Sequence, residues 1–196
     1  WLSQRGGCAK ILGLRDIVDA PESVVATWES QGVYDLLDTR YDHVLVYGMQ
    51  DVFDPVTAYR FPERIAAKTR FVGYVTDADQ PDPAPRQSFF DALPKPLVVV
   101  TIGGGDGGGE TVTGNWLVML RRFRSQVDFW SVILTGPLIP EALASRFAEE
   151  SRGLPVTLRD FVPSTRPYVR RADLVVCTAG YNTITQVLAA APRALV

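Results

Sequence analysis

The apolar positions of this chain fall into short β-branched runs separated by amphipathic stretches. The run Leu97-Val98-Val99-Val100-Thr101-Ile102 is apolar up to Thr101, the pattern of a strand covered on both faces of a parallel sheet. Behind it, Val112, Trp116, Leu117, Leu120 and Phe123 are spaced as one helical face, which predicts a helix over residues 111–124. The alternation continues. Strands are predicted over 130–134, 155–158 and 173–177, and helices over 140–150, 167–171 and 182–191, before the last residues open another strand. Such alternation predicts a doubly wound parallel α/β sheet that takes ligands at the C-terminal ends of its strands.

The earlier residues are less regular. Residues 9–14 read as a strand ending at Arg15-Asp16, residues 21–31 as a helix with Pro21 in its first turn, and residues 43–48 and 71–75 as two more strands. Between the two regions lie Pro81, Pro83, Pro85, Pro94 and Pro96, a density that does not sustain regular structure and reads as a connection. The expected organisation is a first Rossmann-like unit over 1–75, a linker over 76–96 and a second unit over 97–196. The chain starts at Trp1 rather than Met and stops within a strand-like run, so both units are expected to be pieces of a larger protein.

Composition narrows the function. With 20 Lys and Arg against 22 Asp and Glu, the formal net charge is −2, which argues against a general nucleic-acid binder. Lysine occurs only at positions 10, 68 and 95, so an anion held by the second unit must rely on backbone amides, hydroxyls or arginine. Two distant cysteines, Cys8 and Cys177, and a single histidine match a reduced cytoplasmic protein without a zinc site. No apolar stretch reaches the roughly 18 residues of a membrane span, and no signal peptide is visible; peripheral contact with a membrane surface stays open.

Two loops carry the chemistry. The first follows the run at 97–102 and reads Gly103-Gly104-Gly105-Asp106-Gly107-Gly108-Gly109-Glu110. A strand, a glycine loop and a helix start make an anion site. Gly103, Gly105 and Gly108 satisfy G-x-G-x-x-G, but a dinucleotide site also needs an acid at the end of the next strand. That strand ends Ile133-Leu134-Thr135-Gly136-Pro137, and the nearest acid, Asp128, precedes it. Gly109-Glu110 stands where a P-loop has Gly-Lys. The second loop, Cys177-Thr178-Ala179-Gly180-Tyr181-Asn182-Thr183, again runs from a strand through small residues into a helix start. Thr183-x-x-Gln186 also reads as a capping box, which explains both side chains by helix initiation.

Taken together, Val99 to Glu110 and Asp173 to Ala190 resemble the C-terminal domain of the MurG-like glycosyltransferase family 28. Leu12-Gly13-Leu14-Arg15-Asp16-Ile17, Val46-Tyr47-Gly48 and the loop at Thr178 more closely resemble a bacterial group of predicted glycosyltransferases in that superfamily. The resemblance implies a GT-B fold of two Rossmann-like domains and transfer of a hexosyl group, N-acetylglucosaminyl among the candidates, from a UDP-linked or other nucleotide diphosphate sugar. It implies no cofactor beyond that donor and no obligatory metal. Gly103, Gly104 and Gly107 would face the diphosphate, Gly180 and Thr183 the α-phosphate, Gln186 the ribose hydroxyls, and the backbone at Phe161-Val162 the uracil edge. Gly105 stands where the family has a serine and Gln186 where it has a glutamate; an amide still accepts from a hydroxyl but carries no charge. The catalytic base is expected upstream of Trp1, with Asp16 a candidate within the chain, so the chain alone is expected to bind nucleotide without turnover. The acceptor is not named by the sequence.

Other features have competing readings. Asp77-Ala78-Asp79 has the form of a metal-binding D-x-D but lies in the Pro-rich stretch, so a metal there is not expected. His43 opens a strand and is expected to have no chemical role. Arg15, Asp16 and Asp19 follow a strand and could meet an acceptor, or the acids could cap the turn before Pro21. Arg159, Arg166, Arg170 and Arg171 could neutralise a diphosphate, or in the last two cases form a solvated face. Competing functions are a nucleotide-sugar 2-epimerase, a non-catalytic nucleotide-binding module and, least favoured for want of the strand-end acid, an NAD-dependent oxidoreductase.

Overall fold

The computed structural model describes residues 8–76, 89–90, 92–102, 109–190 and 192–196. The chain divides into two compact units, Trp1–Val75 and Thr76–Val196. The Gly103–Gly108 loop and Asp77–Asp79 lie outside the described residues.

In the first unit, β1 (Ile11–Arg15), β2 (His43–Tyr47) and β3 (Thr69–Phe71) form a parallel sheet in the order β1-β2-β3. Helices α1 (Pro21–Ser30), α2 (Val33–Arg40), α3 (Pro55–Ala58) and α4 (Glu63–Ala67) connect them. Three of these helices, α2, α3 and α4, are not evident from periodicity. The third strand also differs from expectation. It pairs Thr69 to Phe71 with Val44 to Val46 instead of running over 71–75, because the chain enters the sheet directly from α4 and turns at Gly73 with φ 75°. The core gathers Val24, Leu37, Val44, Tyr59, Phe61 and Ile65. Tyr59 is fully buried. Its hydroxyl accepts from Val18 N–H at 2.9 Å and donates to Asp19 O at 3.2 Å, and its carbonyl accepts from Tyr34 Oη at 2.6 Å.

The second unit is a five-stranded parallel sheet in the order β6-β5-β4-β7-β8. Its elements are β4 (Leu97–Thr101), α5 (Gly109–Arg122), β5 (Trp130–Leu134), α6 (Glu141–Glu150), β6 (Val156–Arg159), α7 (Arg166–Arg171), β7 (Leu174–Cys177), α8 (Tyr181–Ala190) and β8 (Arg193–Leu195), with a 3₁₀ turn at Arg124–Gln126. Every residue of β4 is buried, as the apolar run demands. Alternation splits the strand between two layers. Val98 and Val100 join Leu117, Leu120, Ile133 and Phe147 on one face, while Leu97 and Val99 join Phe90, Val132, Leu134 and Tyr168 on the other. Phe89 and Phe90 come from the Pro-rich stretch, where they are helical. That stretch therefore fills core space in the second unit as well as connecting. Phe90 and Tyr168 meet edge to face, with centroids 4.8 Å apart.

Candidate functional site

The chain runs outward along β5 and β6 on one side of β4, then returns to place β7 on the other side. The strand order reverses between β4 and β7, and in open α/β sheets ligands sit at such a switch point. Both predicted loops leave from it. Thr101 pairs with Cys177, and one residue further on Thr178 Oγ1 donates to Ile102 O at 3.3 Å, tying the two strand ends together. A Cβ at Gly109 would lie 2.5 Å from Ile102 Cδ1, so α5 starts directly against the end of β4 and glycine is the residue that fits there.

Beside this point a cavity of about 370 Å³ opens at the C-terminal ends of β4, β5 and β6, within the ~300–1,000 Å³ of small-molecule sites. Thr101 and Leu134 line its strand side, Gly136 (φ 78°) and Pro137 one edge, residues 159–165 another, and Asn182, Thr183 and Gln186 of α8 the last. Val162, Thr183 and Gln186, from segments more than twenty positions apart, thus meet on one wall system. Gly180 is exposed and not among the lining residues; among the described residues no atom comes within 4 Å of where its Cβ would stand. Gly103, Gly104, Gly105 and Gly107 lie outside the described residues.

The helix start at α8 differs from the capping-box expectation. The helix begins at Tyr181, two residues before Thr183. Thr183 N–H and Ile184 N–H both donate to Gly180 O, at 2.9 and 3.0 Å, so the Thr183 amide closes the first turn while the residue lines the cavity. Gln186 does not reach back to cap; its Oε1 accepts from Thr165 Oγ1 at 2.7 Å. Just before the helix, Ala179 has φ 56°, a left-handed conformation costing a non-glycine residue of order 1 kcal/mol.

Arg159 is the cationic residue of the lining. Its guanidinium sits 4.4 Å from the Phe89 ring centroid, and its carbonyl accepts from Thr135 N–H at 2.9 Å and Thr135 Oγ1 at 3.3 Å. Burial raises the pKa of the neighbouring Tyr168 hydroxyl, and Arg159 acts against that rise. Asp160 Oδ1 accepts from Phe161 N–H at 2.8 Å, while the Phe161 side chain is exposed. The other arginines are not on this wall. Arg166 is buried at the head of α7, Arg170 is exposed, and Arg171 lies 5.1 Å from the Phe90 centroid. Thr135, buried, follows β5 where a dinucleotide site would place its acid.

At the C-terminal end of β1, Asp16 is 4% exposed. Its Oδ1 accepts from Ile17 N–H at 2.8 Å, and Asp19 Oδ1 accepts from Ala20 N–H at 2.7 Å. Both acids thus turn the chain before Pro21. His43 is exposed at the N-terminal end of β2, away from the edge where parallel sheets bind ligands. Among the described residues no cluster of metal-ligating side chains occurs, and no helix is long and apolar enough to cross a membrane. Among the lining residues not singled out in the sequence are Thr101 and Thr165. Thr101 is legible as the polar end of an apolar run, whereas Thr165 has no local signal, since its partner is 21 positions away.

The sheet order is Rossmann-like, with a cavity at the C-terminal ends of its strands. Residues 114–196 match the glycosyltransferase family 28 C-terminal domain, a stretch that includes the second of the two loops. A curated relative from Acetivibrio thermocellus, UDP-N-acetylglucosamine–N-acetylmuramyl-(pentapeptide) pyrophosphoryl-undecaprenol N-acetylglucosamine transferase, is 25% identical over 97 residues, or 50% of this chain and 26% of that protein. The fold is shared with the glycosyltransferase of kitacinnamycin, at TM-score 0.51 and 17% identity over 90% of this chain and 42% of that one. It is also shared with UDP-glucose: anthocyanidin 3-O-glucosyltransferase in complex with UDP, at TM-score 0.52 and 13% identity over 79% and 35%. These relatives have the GT-B architecture. The chain spans about a quarter of the curated relative's length and less than half of the two solved chains.

Proposed function

We propose that the second unit binds a nucleotide diphosphate sugar, UDP-linked in the first instance, and that the protein is a hexosyltransferase acting on a separate hydroxyl acceptor. The observation that carries this reading is the cavity at the ends of β4, β5 and β6, where Val162, Thr183 and Gln186 come together. In this reading residues 160–163 meet the base, Gln186 the ribose, and the loops after β4 and β7 the diphosphate. The anomeric C–O bond breaks with its electron pair passing to the diphosphate, the acceptor oxygen takes the sugar, and its proton leaves to a base. The group needing stabilisation is the diphosphate leaving group. Helix starts leave backbone N–H groups unpaired and carry positive dipole ends, the Thr183 hydroxyl adds a donor, and Arg159 adds a charge. Such preorganised donors stabilise developing anions without a resident metal. The curated relative, named for UDP-N-acetylglucosamine, makes N-acetylglucosamine the first sugar to test.

Calorimetric titration of the chain with UDP, GDP and NAD tests the reading. Binding of a nucleoside diphosphate, weakened by Thr183→Val and unchanged by EDTA, is the expected result. Tight binding of NAD alone would overturn it.

A further inference from the structure

Two arginines rest on one aromatic cluster, and one of them lines the cavity. Phe89 and Phe90 have ring centroids 5.4 Å apart, and Tyr168 lies 6.2 Å from the first and 4.8 Å from the second. Phe90 and Tyr168 are buried, which holds the Phe89 ring in place. The Arg159 guanidinium sits 4.4 Å from the Phe89 centroid, and that of Arg171 5.1 Å from the Phe90 centroid. Arg159 is a lining residue and Arg171 is not. The backbone end of Arg159 is fixed as well, because its carbonyl accepts from Thr135 N–H and Thr135 Oγ1. A guanidinium donates through N–H groups in its own plane and stacks on rings through its face, so the contact with Phe89 uses up no donor. Among the described residues no carboxylate or carbonyl takes those donors.

We propose that Phe89 is a positioning residue for the cavity: its ring holds the Arg159 guanidinium there, with N–H groups left to receive the anionic end of a ligand. The inference rests on the nucleotide reading above, in which that end is the diphosphate, and extends it to a residue outside the lining. An unsupported arginine side chain samples many rotamers, and one already held loses less freedom on binding. A guanidinium matches phosphate oxygens two at a time, so a held one adds direction as well as charge. Phe89 belongs to the Pro-rich stretch before β4. That stretch therefore contributes to ligand affinity from a position the sequence marks only as a connection.

The test is the dissociation constants of UDP and uridine, measured by NMR titration of the chain and its variants. Arg159→Gln should weaken UDP about tenfold, the effect of losing a hydrogen bond to a charged group, and leave uridine unchanged. Phe89→Leu keeps an apolar side chain without the ring face. It should weaken UDP about fivefold, the scale of one cation–π contact, again without moving uridine. Phe89→Tyr restores the ring and should restore UDP binding. In the Arg159→Gln background, Phe89→Leu should change UDP binding by no more than about twofold, because the two residues act as a unit. Arg171→Gln, on the same cluster but off the lining, should leave both ligands unchanged. A folding defect would weaken UDP and uridine together, so their ratio reports the positioning. An unmoved ratio in Phe89→Leu, no recovery in Phe89→Tyr, independent losses in the double variant, or an equal shift in Arg171→Gln would overturn the proposal while leaving the nucleotide site standing. If UDP does not bind the unsubstituted chain, the nucleotide reading falls and this proposal falls with it.

Discussion

The two sheets end differently at the edge where parallel strands offer ligands. In the first unit that edge is filled. A Cβ at Gly48, just past β2, would lie 2.5 Å from Asp16 Cβ, and one at Gly13 in β1 would fall on the Tyr47 hydroxyl. Glycine there lets neighbouring side chains sit on bare backbone. In the second unit a cavity lies beside β4, and among the described residues nothing comes within 4 Å of a Cβ on Gly180. The same residue type closes one edge and clears the other, and only the surroundings tell which.

The largest way to disturb this contrast is at Tyr59, whose hydroxyl holds the turn after β1 from beneath. Tyr59→Ala should cost about 3–5 kcal/mol, the range for large aromatic-to-alanine changes in cores. Urea unfolding followed through Trp28, whose ring centroid is 5.8 Å from that of Tyr59, would register the loss. Next comes a matched pair of glycine substitutions. Gly48→Ala should cost about 1–3 kcal/mol, since the methyl has to displace Asp16 from a packed position. Gly180→Ala should stay within about 0.5 kcal/mol of the original stability yet weaken nucleotide binding in calorimetry, because the methyl enters the open space. Equal stability losses would erase the distinction between the two edges.

A pH-dependent effect smaller than that at Gly48 lies at Asp173, which ties the foot of β7 to that of β4. Its Oδ2 accepts from Leu97 N–H at 2.7 Å and Lys95 Nζ at 3.0 Å. The Leu97 bond first, then Lys95, hold its pKa below the ordinary carboxylate value. The folded state therefore favours the ionised form. The contribution is complete above the unfolded pKa of about 3.9 and fades as pH falls through the lower folded value. The side chain is half exposed, so solvent screening keeps the ion-pair share below about 1 kcal/mol. The gap in thermal midpoint between the unsubstituted chain and Asp173→Asn should be present at neutral pH and close in strong acid.

Legibility followed burial. The strands of the second unit stand out in the sequence because a parallel sheet covered on both faces demands unbroken β-branched runs, and Leu97 to Thr101 is buried throughout. The first unit hides its short helices. Val33–Arg40 starts after Gly32 in a left-handed turn, and Pro55–Ala58 is a single turn capped by Asp54, whose carboxylate accepts from Val56 and Thr57 N–H. Neither segment is long enough to show a period. Strand β3 begins on Thr69 and Arg70, two polar residues, because the Thr69 hydroxyl is satisfied by Ile65 O at 2.7 Å, a bond invisible to hydropathy. At the site, Thr183 and Gln186 were legible because a helix start follows a strand. The hydrogen bond that orients Gln186 was not, because Thr165 reaches it from the other side of β7.

The strand order has a consequence for how the second unit tolerates change. All four walls of the cavity stand at one edge of the sheet, and each crossover helix carries the chain back to the opposite edge before the next strand begins. Surplus length can be taken up at that far edge, for instance around Gly153 between α6 and β6, where φ is 72° and the nearest atom to a Cβ is the end of the Arg124 side chain at 3.8 Å. Insertions there lengthen a return path without moving a wall. The fold thereby separates the residues that must hold their places from the stretches where a gene can gain or lose codons.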